Sequence, residues 1–171
     1  IMNNDYILKE KFISQDIVHE ILNKSLKYKK HNSKIGNRVS HAHKIRSDAF
    51  FSRKDSYGID EHFFPKAHNL ILSTFGVDLR YRESYKLGTY TGNDGGFYVP
   101  HTDTQGGMEH RKISVVLCLS DSMDYSGGIF KFIKLDKTFR FSVGDAIIFR
   151  SNLLHGVEPV TDGVRQVLIS F

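Results

Sequence analysis

Cysteine is nearly missing from this chain: Cys118 is the only one. No internal disulfide can form, and no cluster of thiolates can hold a structural zinc ion. That usage fits a reducing compartment. Long apolar runs are missing too, and nothing approaches the roughly 20 residues that a membrane-spanning helix needs. Around Asn3, Asn4 and Asp5 the chain lacks the basic and apolar regions of a secretory leader. The expectation is a cytoplasmic protein with no membrane partner. Ile1 precedes Met2. Internal repeats and low-complexity tracts are absent as well.

Acidic residues are scarce in one place. Between Lys24 and Lys54 lie ten basic residues (Lys24, Lys27, Lys29, Lys30, Lys34, Arg38, Lys44, Arg46, Arg53 and Lys54) against Asp48 alone. The segment is therefore +9 within a chain whose net charge is +5, and the remainder is −4. Such a segment is either a solvated, flexible loop or a surface for an anionic partner, an acidic peptide or a nucleic acid.

At 171 residues the chain is long enough for one domain with a sizeable core. Ser14 can cap a helix that buries Ile17, Val18, Ile21, Leu22 and Leu26, a stripe at helical spacing. From about Lys29 to Asp55 the sequence is polar, basic and unperiodic, which predicts a long loop with short ordered pieces. A second helix is predicted over about Pro65 to Phe75, with Phe63, Phe64, Ala67, Leu70 and Ile71 turned inward, Pro65 in its first turn and Gly76 ending it.

From Tyr81 onward strands take over, over about 81–90, 97–101, 112–119, 128–135, 138–142, 145–149, 154–160 and 164–171. Turn signals separate them: residues 92–96, Gly106-Gly107, Ser126-Gly127-Gly128, Gly144-Asp145 and Asp162-Gly163. About eight short strands with frequent turns imply a β-sandwich or jelly roll. The predicted fold class is mainly β with N-terminal helices (α+β): a helical support over about 1–80, packed on one face of a jelly roll over about 81–171.

Within that pattern, His101-Thr102-Asp103 stands at a strand end, answered by His155 and then Arg165. Residues two apart on a regular strand point to the same face, so one strand end can deliver His101 and Asp103 to one ion. Two imidazoles and one carboxylate leave half the coordination sphere open, which suits ferrous iron that must bind a chelating acid and dioxygen. Zinc would more often recruit cysteine or a third histidine. His-Xaa-Asp is common by chance, and the downstream residues decide. Arg165 lies ten residues past His155, beyond the Asp162-Gly163 turn, so a hairpin could bring both into one cavity. An inward arginine is costly unless an anion pairs with it. That anion is the far carboxylate of an iron-chelating diacid, or else Asp145 or Glu158 in a structural salt bridge. His41, His43 and His110 read as surface residues.

These residues carry a likeness to a family. The chain from Tyr90 onward resembles the iron(II)- and 2-oxoglutarate-dependent dioxygenases, in their prolyl 4-hydroxylase-like branch. The matching blocks are Tyr90 with its glycine-rich turn, Tyr98-Val99-Pro100-His101-Thr102-Asp103, Arg111-Lys112-Ile113-Ser114 and Leu119-Ser120-Asp121. They continue with Ser126-Gly127-Gly128, Gly144-Asp145-Ala146-Ile147-Ile148-Phe149, His155-Gly156-Val157-Glu158-Pro159-Val160 and Gly163-Val164-Arg165. The resemblance implies a double-stranded β-helix, iron held by His101, Asp103 and His155, and 2-oxoglutarate anchored through Arg165 beside Tyr90. It places Arg111 facing a protein substrate. It also implies hydroxylation of an amino-acid residue, prolyl first, with release of succinate and CO2, dioxygen consumed and ascorbate as an auxiliary reductant. Cys118 and Phe130 depart from the pattern, standing where relatives have a tyrosine and a threonine that help hold the co-substrate. The loop over Lys29 to Asp55 and the turn at 92–96 are candidates for a mobile rim over the cavity.

The competing readings are a non-catalytic jelly-roll binding module and an oxygenase acting on a small molecule or on nucleic acid. Repair demethylases resembling this family carry a second arginine six residues after the first. Here Phe171 occupies that position, which argues against the nucleic-acid reading.

Overall fold

Alternating side chains in the β-rich part of the chain sort into two separate cores. In β7 (Ile113–Cys118), Ile113, Val115 and Leu117 join one core, and Val116 and Cys118 the other. β11 (Ala146–Arg150) and β13 (Val160–Ser170) divide the same way: Ile148 and Leu168 against Ile147, Phe149, Val167 and Ile169. The first core lies under the helices; the second fills the space between two sheets. Period-two alternation, with both faces buried, therefore builds a three-layer structure.

The computed structural model describes residues 5–171. Asn3 and Asn4, read above for the absence of a leader, lie outside that range. The larger sheet runs in the order β1 (Tyr6–Lys9), β11, β7, β13, β5 (Lys86–Thr91), β4 (Ser47–Phe50) and β2 (His31–Asn32), with β8 (Tyr125–Gly127) paired to β13. The smaller runs β10 (Lys137–Phe139), β9 (Phe130–Phe132), β12 (His155–Val157), β6 (Phe97–His101) and β3 (Lys44–Ile45). Every pairing is antiparallel. Phe130, Phe132, Phe141 and Phe149 fill the gap between the sheets. This is the expected double-stranded β-helix with its helices on one face.

Helix α1 (Gln15–Ser25) starts as expected, with Ser14 Oγ accepting from Ile17 N at 3.3 Å. Val18 and Ile21 are buried, but Leu26, predicted inward, is 83% exposed because the helix has already ended. Helix α2 (Arg53–Phe75) is much longer than predicted: it starts at the cap Ser52 and carries Pro65 in its interior. Pro65 faces solvent, where water can take the backbone carbonyl that loses its partner. Phe63, Ala67 and Ile71 are buried as expected, Phe64 and Leu70 half-buried. No helix among the described residues is long and apolar enough to cross a membrane.

The basic segment is the expected long loop with short ordered pieces: β2, β3 and β4 join the edges of both sheets, and Lys44, Arg46 and Asp48 are buried rather than solvated. Two expectations are corrected. The turn at 92–96 is not a rim. Gly92 N donates to Gly163 O at 2.8 Å and Val160 N to Gly96 O at 2.8 Å, which fastens it to β13. Asp162-Gly163 makes no hairpin between β12 and β13. Both residues lie inside β13, paired with Ser126 and Tyr125 of β8; the register shifts just before them, between Val160 and Asp162, and Gly163 has φ +71°.

Candidate active site

β6 ends on His101 and β12 opens on His155, and the two are cross-strand partners. Their ring centroids are 4.3 Å apart. Each Nδ1 lies 2.8 Å from the backbone carbonyl two residues earlier, Val99 for His101 and Leu153 for His155. A carbonyl only accepts, so each Nδ1 carries a proton and each Nε2 keeps its lone pair for a ligand.

Regular strand geometry stops at His101, and Asp103 lies in the following turn. That turn, rather than strand alternation, brings its carboxylate round, and Asp103 N donates to Ser151 O at 2.8 Å to hold it. Asp103 Oδ1 is 3.4 Å from His101 Nε2, and Oδ2 is 3.5 Å from His155 Nε2. Ser114 Oγ donates to Oδ2 at 2.6 Å and lies 2.9 Å from Ser151 Oγ. One donor atom from each of the three residues falls within 4.8 Å of the others, an arrangement that could hold a metal ion. Burial pushes His155 down to about 4, toward the neutral form that ligates. Burial would raise Asp103, but His155, His101 and the Ser114 hydroxyl outweigh it and hold the carboxyl well below its usual range.

Aromatic rings wall this cluster. Tyr98 stacks on His101 with centroids 3.4 Å apart, while Phe149 and Phe130 pack on His155 at 4.7 and 5.5 Å. The triad opens onto a cavity of about 570 Å³ that Tyr90, Arg165, Phe130, Arg111, Lys44, Arg46 and Lys86 also line.

Arg165 is 1% exposed, and its Nε and Nη1 have no hydrogen-bond partner among the described residues. The salt bridges considered from sequence do not form. Asp145 accepts from the backbone of Lys11 and Ser142, and Glu158 pairs with Lys131. Arg165 stands opposite Tyr90 in the β13–β5 register. Gly128 makes its passage possible, since a Cβ there would lie 3.0 Å from Arg165 Cδ.

Other expected residues sit differently. Cys118 is buried between the sheets, donates to Ser120 O at 3.1 Å and does not line the cavity. Phe130 does line it. Arg111 is on the wall, but its donors are taken: Nε and Nη2 reach Glu83 at 2.9 and 2.8 Å, and Nη1 reaches Asp103 O at 3.3 Å. His41, His43 and His110 are at the surface, as expected.

Sequence reasoning missed a second polar cluster. Arg46 Nε and Nη2 donate to the two oxygens of Asp48 at 2.6 and 3.0 Å, and Nη1 to Tyr90 Oη at 3.3 Å. Ser33 Oγ donates to Asp48 Oδ2 at 2.6 Å. Lys44, 4% exposed, lies over the Tyr98 ring at 4.4 Å. Burial pushes Lys44 down to about 6 and Lys86 to about 8. The spacing Lys44, Arg46, Asp48 is the period of a strand, and that was the available signal.

The family described as the 2OG-Fe(II) oxygenase superfamily matches over residues 85–171. Relatives include a PKHD-type hydroxylase of Sphingopyxis alaskensis, 40% identical over 76 residues, which cover 43% of this chain and 34% of that protein. Another, from Synechococcus sp. strain CC9902, is 30% identical over 103 residues, covering 59% of this chain and 46% of that protein. The chain thus spans about a third to a half of these curated relatives. Among solved structures, a collagen prolyl hydroxylase of Paramecium Bursaria Chlorella virus-1 in complex with 2OG superposes with a TM-score of 0.75 at 17% identity, over 96% of this chain and 93% of that one. A Pseudomonas putida prolyl-4-hydroxylase gives 0.76 at 15% identity, over 98% and 91%. At such identities the likeness is one of fold.

Proposed function

The chain belongs to the 2OG-Fe(II) oxygenase superfamily, and from that premise we propose a dioxygenase that hydroxylates an amino-acid residue, prolyl in a peptide or protein first. Family membership implies ferrous iron, 2-oxoglutarate and dioxygen. The observation that carries the reading is Arg165, a buried guanidinium with two unpartnered nitrogens in the same cavity as a His-Asp-His cluster. A buried cation without an anion is costly, and a dicarboxylic acid held at the metal would supply one.

The residues fit these groups. Two neutral imidazoles and an ionised carboxylate suit a divalent ion with open positions. When bound, iron and 2-oxoglutarate would supply the chemistry by which dioxygen converts a C–H bond to a hydroxyl, one oxygen atom going to the substrate and the other to succinate, with CO2 released. The chain's own work is placement. His101, Asp103 and His155 hold the metal, with backbone carbonyls and Ser114 orienting them. Arg165 anchors the far carboxylate and Tyr90 walls its seat. Tyr98, Phe130 and Phe149 keep water from the ligating nitrogens. Arg111 we assign to bracing the turn that carries Asp103 rather than to substrate. The N-terminal part belongs to the same domain in this reading, since β3 and β4 extend both sheets beside the site.

Peptidyl proline is supported by the naming of the relatives and by the prolyl hydroxylases among the structural neighbours. The test is an anaerobic spectrum of the protein with ferrous iron, with and without 2-oxoglutarate, beside Arg165→Ala. A metal-to-ligand charge-transfer band that requires the acid and weakens in the variant is expected. Bound iron without that band would overturn the reading. Turnover assays on proline-containing peptides follow, with ascorbate to keep the iron ferrous.

A further inference from the structure

We propose that Lys44 and Lys86 form a second anion subsite, which takes a carboxylate or phosphate group carried by the molecule being hydroxylated. The proposal rests on the function proposed above and names the chemistry of its substrate. The cavity wall holds Lys34, Lys44, Arg46, Lys86, Arg111 and Arg165 against Asp48 and Asp103. Arg46 is paired with Asp48 and Arg111 with Glu83, while Lys34 is exposed to solvent. The two charges of the iron and the one of Arg165 balance the two carboxylates of 2-oxoglutarate and that of Asp103. Lys44 and Lys86 are left over.

Neither lysine has a carboxylate at ion-pair distance among the described residues. Lys44 Nζ reaches only the Lys34 carbonyl, at 3.3 Å, and the face of Tyr98. Lys86 Nζ lies 5.1 Å from the centre of the Phe171 ring. Both line the cavity, and Lys44 is 96% buried by its 4% exposure. A lysine buried that far without a counter-ion is costly to the fold, and burial accordingly weakens its hold on a proton. An anion arriving from solvent would pair with the ammonium and restore its hold on the proton.

Position separates this subsite from the co-substrate seat. Lys86 and Tyr90 point to the same face of β5, four residues or roughly 13 Å apart at strand spacing. Tyr90 stands beside Arg165, so Lys86 lies at the other end of the strand from the 2-oxoglutarate anchor. Between them Gly88 leaves room for the Arg46 stem: a Cβ there would lie 3.0 Å from Arg46 Cδ. Lys44 is the cross-strand partner of Tyr98, whose ring stacks on His101. An anionic group held by the two lysines would therefore sit beside the metal, on the side away from Arg165.

The test is equilibrium binding by calorimetry under nitrogen, to protein loaded with ferrous iron and 2-oxoglutarate so that no turnover occurs. The probes come in charged and neutral pairs. They are N-acetylproline and N-acetylprolinamide, and capped proline pentapeptides with Asp or Asn, and with phosphoserine or serine, beside the proline. We expect at least one charged probe to bind ten-fold or more tighter than its neutral partner. Lys44→Met and Lys86→Met should each erase most of that preference. A preference confined to N-acetylproline identifies a free acid as the source of the anion; one shown by a peptide pair identifies a side chain. Equal binding within every pair, no binding by any probe, or a preference that survives both substitutions would overturn the subsite. The charge-transfer band is recorded for each protein. A wild type lacking it fails at the earlier reading and the subsite falls with it, whereas a band with indifferent probe binding sinks the subsite alone.

Discussion

Arg165 and Tyr90 face each other across β13 and β5, with the guanidinium carbon 5.2 Å from the ring centre. The pair leaves little slack, because Gly128 closes the third side. It adopts φ +63°, and a Cβ there would meet Val160 Cγ2 at 2.9 Å, Arg165 Cδ at 3.0 Å and Tyr125 Cε2 at 3.1 Å. Gly128→Ala should cost about 1–3 kcal/mol from the left-handed backbone alone. It should also displace Arg165, raising the KM for 2-oxoglutarate about ten-fold while iron affinity stays within a factor of about two. Thermal unfolding, steady-state kinetics and a chelator competition together check this. An unchanged KM in a destabilised protein would mean that Arg165 does not anchor the acid.

Ser114 is expected to matter through Asp103. Its hydroxyl donates to Asp103 Oδ2 at 2.6 Å from the buried strand β7. Removing such an orienting partner commonly costs 10–100-fold in metal affinity, against about 1 kcal/mol of stability for a single hydrogen bond. Ser114→Ala should therefore bind ferrous iron 10–100-fold more weakly while the metal-free protein melts within a few degrees of wild type. A large fall in melting temperature with intact iron affinity would make the serine a structural residue only.

The jelly-roll half of this fold was legible because its strands alternate: Ile113, Val115 and Leu117 against Val116 and Cys118 is a pattern that only a two-faced strand needs. Arg165 was legible for the opposite reason, as a charge on the inward face of an apolar strand. The segment around Lys44, Arg46 and Asp48 broke the rule that charges face water, so it read as a loop. Its strands are also short, two residues each for β2 and β3, too brief for periodicity to register. Helix α2 was cut short because Pro65 looks like a first-turn residue, and only tertiary packing shows that its unbonded side faces solvent. Ser114 stood in a block shared with the family, but nothing in the sequence signalled its role. Its role exists only because the Asp103 turn and β7 meet in space.

Lys44 yields a prediction that a purely structural lysine would not. Burial pushes its ammonium down to about 6 from the ordinary 10.5. Between those values the unfolded chain binds a proton that the folded chain does not, so the lysine's contribution to stability rises with pH across that window. Below about pH 6 both states are protonated and the whole cost of burying the charge is present. Lys44→Met removes that cost. Replacing a buried charge by an apolar side chain of similar volume can stabilise by about 1–4 kcal/mol, or about 2–4 °C per kcal/mol in a domain of this size. We expect the metal-free variant to melt several degrees above wild type at pH 6, with the gain shrinking toward pH 10. A variant less stable at every pH would show that the Tyr98 ring and the Lys34 carbonyl outweigh the desolvation of the ammonium. A more stable variant that has lost its preference for acidic probes would show that the chain holds Lys44 at the expense of its own stability, in order to bind an anion beside the metal.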